Sequence, residues 1–403
     1  MNPLKNKFLQ YQAQISPHPI ALQIDRAKGN YIYDIEGKSY LDFAAGVSSN
    51  TLGHGHPKIV EAIKKQIERH MHVMVYGEFI QEVCVQLCQN MAQYTPKPLE
   101  TTYLVNSGAE AIEGALKLAK RHTGREEIIA YKMAYHGNTH GAMSIMGNES
   151  LKRSFRPLLP IVQFITFNDE KDLLAITEKT ACVVLETIQG AAGFILPQND
   201  YLKKVKKQCE KTGALMILDE IQPGFGRTGK LFAFEHYQVV PDILVMGKGM
   251  GGGMPIGAFM ASQTLMKCLT HDPMLGHITT FGGHPVIAAA ALATLTELID
   301  GSWMNQIEEK EALIRRLLVH PEIKGIHGKG LMLVCELANK SYTLKIARRC
   351  MEKGLIVFWL LFSSECLRLS PPLTITKEEI QKACNIIIEC LNETPSISIH
   401  EKN

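Results

Sequence analysis

Short, almost unbroken apolar runs rich in Ile and Val alternate along this chain with longer stretches whose apolar residues recur at helical spacing. The runs 103–105, 128–131, 181–186, 215–219, 243–245 and 256–260 read as strands, most of them buried on both faces. Residues 57–70, 109–121, 200–212 and 285–298 read as helices. That alternation predicts an α/β chain built on a parallel sheet. The opening segment reads as short strands at 31–33 and 40–42 around Glu36-Gly37. The last hundred residues read as α+β, with helices 304–318 and 377–390 and strands near 331–336 and 355–358. The two ends are expected to pack together, giving a large domain over 46–298 and a small one from 1–45 and 299–403. From about Glu393 the chain is polar and is expected to fray.

At 403 residues with 46% apolar and 21% charged positions, the chain suits a large globular core with a smaller companion. A net charge of +3 is too small to argue for nucleic acid or a membrane surface. No apolar run is long enough to span a membrane, and the polar start Met1-Asn2-Pro3-Leu4-Lys5 leads into no signal-peptide core. Ten scattered cysteines without a C-x-x-C pair read as reduced structural thiols of a cytoplasmic protein. His54 and His56 have no second ligand cluster, so no metal is expected.

The chemistry gathers just past strand ends, where open α/β sheets bind ligands. Lys248 follows the run 243–245 inside Gly247-Lys248-Gly249-Met250-Gly251-Gly252-Gly253, and Asp219 closes the run 215–218. A solvated lysine and a capping acid would fit the local pattern too. The same pair, however, is what pyridoxal phosphate (PLP) needs: an amine for its aldehyde and a carboxylate to keep its pyridine nitrogen protonated. Gly247, Gly249 and Gly252 also satisfy G-x-G-x-x-G, but Pro255 and a further strand follow where a dinucleotide site must open a helix.

Asn106-Ser107-Gly108-Ala109-Glu110-Ala111 joins a strand to a helix, either as an ordinary cap or as a phosphate site on the helix N-terminus. Tyr135-His136-Gly137 places an aromatic where it can stack on a flat heterocycle or sit at the core edge. After Asp219, Gln222 can reach a cofactor oxygen, and Glu220 with Arg227 reads as a structural ion pair. The loop Thr279-Thr280-Phe281-Gly282-Gly283 offers hydroxyls to a phosphate. Arg368, after the bulky run 356–362, suits a substrate carboxylate.

Taken in this order over residues 24–386, these segments resemble the class III aminotransferases, PLP enzymes of fold type I, nearest the acetylornithine, ornithine and 4-aminobutyrate group. The resemblance implies a mostly parallel seven-stranded sheet, a small α+β domain from both termini, and a homodimer with shared sites. It implies Lys248 as Schiff-base lysine, Asp219 as pyridine partner, Gln222 at the ring oxygen and Tyr135 with His136 at the ring. Ser107, Gly108 and Ala109 would hold the phosphate, joined by Thr280 of the other subunit. Thr279 would lie near substrate, and Arg368 would bind the α-carboxylate. A ping-pong transfer from an ω-amino or basic amino acid to 2-oxoglutarate or pyruvate follows from the same resemblance. Two positions depart from that group. Asn138 replaces a typical arginine that reads a second carboxylate, and Ala191 replaces a glutamate that pairs with the C-terminal arginine. Without that glutamate, Arg368 is expected to stay exposed. The stretch from Tyr135 to Ser144 also resembles diaminopelargonate aminotransferases, and an aminomutase, racemase or decarboxylase could use the same lysine and acid.

Overall fold

The computed structural model describes residues 3–74 and 76–395. In chain order the strands are β1 (Ile24–Lys28), β2 (Tyr31–Asp34), β3 (Ser39–Asp42), β4 (Thr101–Val105), β5 (Glu127–Tyr131), β6 (Val162–Ile165), β7 (Thr180–Glu186) and β8 (Leu215–Asp219). There follow β9 (Ile243–Gly247), β10 (Gly257–Ala261), β11 (Gly325–Lys329), β12 (Met332–Glu336), β13 (Leu355–Ile356), β14 (Phe358–Trp359) and β15 (Cys366–Leu369). Of the longer helices, α1 (Pro57–Arg69), α2 (Gly108–Thr123), α3 (Tyr201–Thr212), α4 (Pro285–Asp300), α5 (Ile307–Leu317), α6 (Lys340–Glu352) and α7 (Lys377–Asn392) matter here.

Seven strands form the central sheet in the order β4-β10-β9-β8-β7-β5-β6. Pairing is parallel from β9 through β6, and β10 runs antiparallel to both neighbours. The interior strand β7, Thr-Ala-Cys-Val-Val-Leu-Glu, is buried at every position, as a strand covered on both faces must be. Its alternation feeds two cores: Val183 and Leu185 join Met216, Leu218 and Met246 on one face, while Cys182 and Val184 join Ile217 and Val245 on the other. The second face is covered by α2 through Ala111, Ile112, Ala115 and Leu118. Helix α2 begins on the Ser107 hydroxyl, which accepts from the Glu110 amide at 3.2 Å, and ends at Gly124 in a left-handed conformation.

Two further sheets of four strands flank this core, β1-β2-β3-β13 and β11-β12-β15-β14. The two ends of the chain do share one of them, since Leu355 of β13 pairs parallel with Leu41 of β3. The apolar run expected as one strand over 355–358 breaks at Val357, so that β13 joins the first of these sheets and β14 the second. Strands β1, β6, β11 and β15 and helix α6 lie outside the sequence expectation. β1 reads Ile-Asp-Arg-Ala-Lys, mostly exposed at a sheet edge, and carries no apolar alternation to betray it. The expected fraying does not begin at Glu393, whose carboxylate meets Lys353 and Arg349 at 2.9 Å each; residues 396–403 lie outside the described residues. No single described helix is long and apolar enough to cross a membrane.

Candidate active site

Sheet register assembles the site. Glu186 ends β7 and Asp219 ends β8 directly beside it, with Val245 of β9 next in the row. Two residues beyond Val245 the strand runs out at Gly247, and Lys248 begins a tight turn. On the other side Val105 ends β4 opposite Gly257, and Ser107 opens α2. The lysine, the acid and a helix N-terminus thus share one edge of the sheet. After Lys248 comes a single 3-10 turn and then antiparallel β10, which disposes of the dinucleotide reading.

Asp219 is buried, its Oδ1 accepting from the Ile221 amide at 2.9 Å and its Oδ2 lying 2.7 Å from His136 Nδ1. Burial is the largest influence on His136 and disfavours its charged form. The hydrogen bond and charge of Asp219, with Glu186 behind, outweigh it and hold the imidazole pKa above its usual value. Lys248 adopts a φ of 43°, a left-handed conformation that costs a non-glycine residue on the order of 1 kcal/mol and is tolerated mainly where function needs it. Among the described residues its ammonium has no hydrogen-bond or ion-pair partner. Burial lowers its pKa; Asp219 opposes this shift, and the positive charge of Arg368 adds to it.

Three glycines let β9, β10 and Ile221 close onto the start of α2. A Cβ on Gly257 would lie 2.0 Å from the Ser107 carbonyl oxygen, and one on Gly247 would touch the Gly108 Cα at 3.4 Å. One on Gly108 would strike Ile221 Cδ1 at 2.7 Å. The amides of Gly108 and Ala109, first in the helix, have no intrahelical acceptor and point their dipole at whatever enters.

Around this helix start the other expected residues fall as follows. Gln222 is near Gly190 and Glu186, and its Nε2 is buried without a partner among the described residues. Tyr135 is half-buried, its ring edge-on to Phe362 with centroids 6.3 Å apart. The Thr279 hydroxyl accepts from Asn106 Nδ2 at 2.8 Å beside the helix start, whereas Thr280 pairs with the Tyr76 hydroxyl at 3.2 Å on an exposed loop. Asn138 is exposed.

Arg368 sits on β15 between Val334 and Phe358 of the neighbouring strands, with its guanidinium 5.9 Å from the Phe194 ring centre. Its Nε and Nη1 are buried and unpartnered among the described residues, as the absence of a glutamate at Ala191 leads one to expect. It is not exposed, however: only 8% of the residue is accessible, because flanking strands and Phe194 enclose it, and burial lowers its pKa to about 10. The expected ion pair of Glu220 with Arg227 does not form. Glu220 accepts from the Thr187 hydroxyl at 2.6 Å and from the Ala233 and Phe234 amides, while Arg227 donates to the carbonyls of Leu331 and Pro371. Glu220 is thus met by one hydroxyl and two amides, and Arg227 by two carbonyls through Nη1, its Nη2 being buried without a partner among the described residues.

Two residues of the site escaped sequence reasoning. Ile221 packs into the corner where Gly108 and Gly247 converge and carries no polar group to announce itself. Glu186 is fully enclosed; it accepts from the Tyr135 amide at 3.1 Å and the Gly190 amide at 2.8 Å, and burial raises its pKa to about 7.

The aminotransferase class-III family model matches residues 11–391. This chain is a class III aminotransferase. It is 38% identical over 390 residues to the acetylornithine aminotransferase of Caldanaerobacter subterraneus subsp. tengcongensis, covering 93% of this chain and 95% of that one. The ornithine aminotransferase of Toxoplasma gondii, crystallised with partial occupancy of PLP, superposes with a TM-score of 0.89 at 32% identity, covering 97% and 93%. The adenosylmethionine-8-amino-7-oxononanoate aminotransferase of Methanocaldococcus jannaschii does so at 0.90 and 29%, covering 98% and 99%. The fold is PLP-dependent fold type I and the cofactor of this aminotransferase is PLP. Its site fits that group: a helix N-terminus with free amides for a phosphate, a buried acid for a ring nitrogen, an orphaned amide for a ring oxygen and a free amine.

Proposed function

We propose that this aminotransferase moves an amino group from an ω-amino or basic amino acid, of the acetylornithine, ornithine or 4-aminobutyrate kind, to 2-oxoglutarate or pyruvate in a ping-pong sequence. The observation that carries the substrate reading is Arg368, a buried guanidinium whose Nε and Nη1 lack partners among the described residues, electrostatically coupled to Lys248. Leaving such a donor unmet costs about 1–3 kcal/mol, a cost that an entering carboxylate removes. Bound PLP supplies an aldehyde that captures amines and a ring that accepts electrons from the substrate carbon. Asp219, oriented by His136 and the Ile221 amide, holds a proton at the ring nitrogen. Lys248, its pKa lowered by burial, takes the proton from the substrate carbon and delivers it in the return direction. Gln222 Nε2 would donate to the ring oxygen and Tyr135 would supply an aromatic contact to the ring. The capped start of α2, at Ser107, Gly108 and Ala109, receives the phosphate. Thr279 lines the substrate side and Asn138 offers a small neutral contact at the mouth.

The same reading makes the protein a homodimer, Thr280 reaching the phosphate of a second copy. It is supported by Phe79, Ile80 and Val85, all more than half exposed, around a cleft of about 570 Å³ that Thr279 and Gly282 also line. The division into 46–298 and 1–45 with 299–403 is supported by β4 to β10 forming one sheet and the remaining strands the other two. A diaminopelargonate-type reaction is the second reading, favoured by Asn138 and by the likeness to the Methanocaldococcus enzyme.

A panel of amino donors that includes adenosylmethionine, scored by loss of the visible band of lysine-bound PLP, separates the two, since discharge by adenosylmethionine alone would favour the second. Basic or ω-amino acids should discharge it, with turnover dependent on a keto acid; carbon dioxide release, or product without an acceptor, would overturn transfer. Arg368→Ala should lower kcat/KM for carboxylate-bearing donors on the order of 100-fold, the ~3 kcal/mol of a charge-assisted contact. An unchanged value would remove Arg368 from the reading.

A further inference from the structure

Arg227 is 1% accessible, and no carboxylate pairs with it among the described residues. Asp42, the acid that acts on it, is itself engaged by His54 at 2.9 Å and by the Ala44 and Ala45 amides. Burying a guanidinium on carbonyl acceptors alone is costly, so its placement calls for a reason. Its Nη1 donates to the carbonyl of Leu331 at 3.3 Å and to that of Pro371. Its own carbonyl accepts from the Leu331 amide at 2.9 Å. Leu331 immediately precedes β12, and Pro371 lies two residues past the end of β15. Those two strands pair with each other at Val334 and Arg368. At its other end Arg227 belongs to the glycine turn that follows Asp219, where Gly226 and Gly229 take φ values of 84° and 90°. One side chain therefore brackets the loop behind the ring-side acid to the strand pair that bears the carboxylate arginine.

We propose that Arg227 is a positioning residue that sets where the Arg368 guanidinium stands relative to the cofactor, and through it the preference for carboxylate-bearing substrates. This rests on the reading that Arg368 receives a carboxylate. The holoenzyme variant R227K keeps the cation and its N–H donors but loses the rigid planar guanidinium that fixes where Nη1 stands between the two carbonyls. The test follows the first half-reaction by loss of the visible PLP band, with L-norvaline and with butylamine, its counterpart without the α-carboxylate. R227K should lower the ratio of the two rate constants at least tenfold while leaving the butylamine rate within about twofold and the PLP affinity unchanged. Equal losses with both amines, an unchanged ratio, or failure of both R227K and R227Q to fold would overturn it. R368A is the companion measurement. If it leaves the ratio intact, the Arg368 reading itself fails; if it collapses the ratio and R227K does not, only the positioning role fails.

Discussion

Lys248 and Asp219 could be found in the sequence because each terminates an apolar run, and a charged residue at that point must face the ligand edge of the sheet. Lys248→Ala should abolish turnover and the visible band of lysine-bound PLP, read by absorbance after incubation with PLP; a retained band would contradict the assignment. Glu186 obeys the same rule yet stayed hidden, since it reads as the last position of a buried strand and its partners are backbone amides of distant loops. Its titration is testable. Burial raises its carboxyl to about 7, against an unfolded value near ~4.3. Between those values the folded state holds the extra proton, so this group's contribution to stability falls as pH rises through that window. Glu186→Gln does not titrate. Its unfolding free energy relative to wild type, from denaturant titrations of the apoprotein, should therefore rise from about pH 5 to about pH 8. A pH-independent difference would refute the assignment. Glu220 and Arg227 show the opposite failure, opposite charges close in sequence that a reader pairs and the backbone separates.

At the scale of elements, the parallel interior strands were legible because burial on both faces leaves an unbroken apolar run. Short edge strands such as β1 and β6 were not, because a half-exposed edge needs no particular residues. The start of α2 is an element-level product: α2, β9 and β10 converge there, and glycine is required where they touch. Ser107→Ala removes the cap of α2 and should cost about 1 kcal/mol of stability together with a measurable loss of PLP affinity. Gly257→Ala should weaken PLP binding more, because its Cβ would fall 2.0 Å from the Ser107 carbonyl and displace the helix start. Fluorescence titration of apoprotein with PLP orders the two; equal affinities would contradict a phosphate site at this position.

On the scale of the whole molecule, the meeting of the chain's two ends, one read as short strands and the other as α+β, was expected, whereas the sharing of one apolar run between two sheets was not. The shape also leaves Phe79 and Ile80 uncovered. Ile80→Glu should shift sedimentation from dimer to monomer and reduce activity with it, and an active monomer would contradict a site shared between copies. The central claim is that this fold brings one amine to one aldehyde. Borohydride reduction of the PLP-loaded protein followed by peptide mass mapping tests it most directly. The account predicts a phosphopyridoxyl group on Lys248 alone; a label on another lysine, or none, would contradict it.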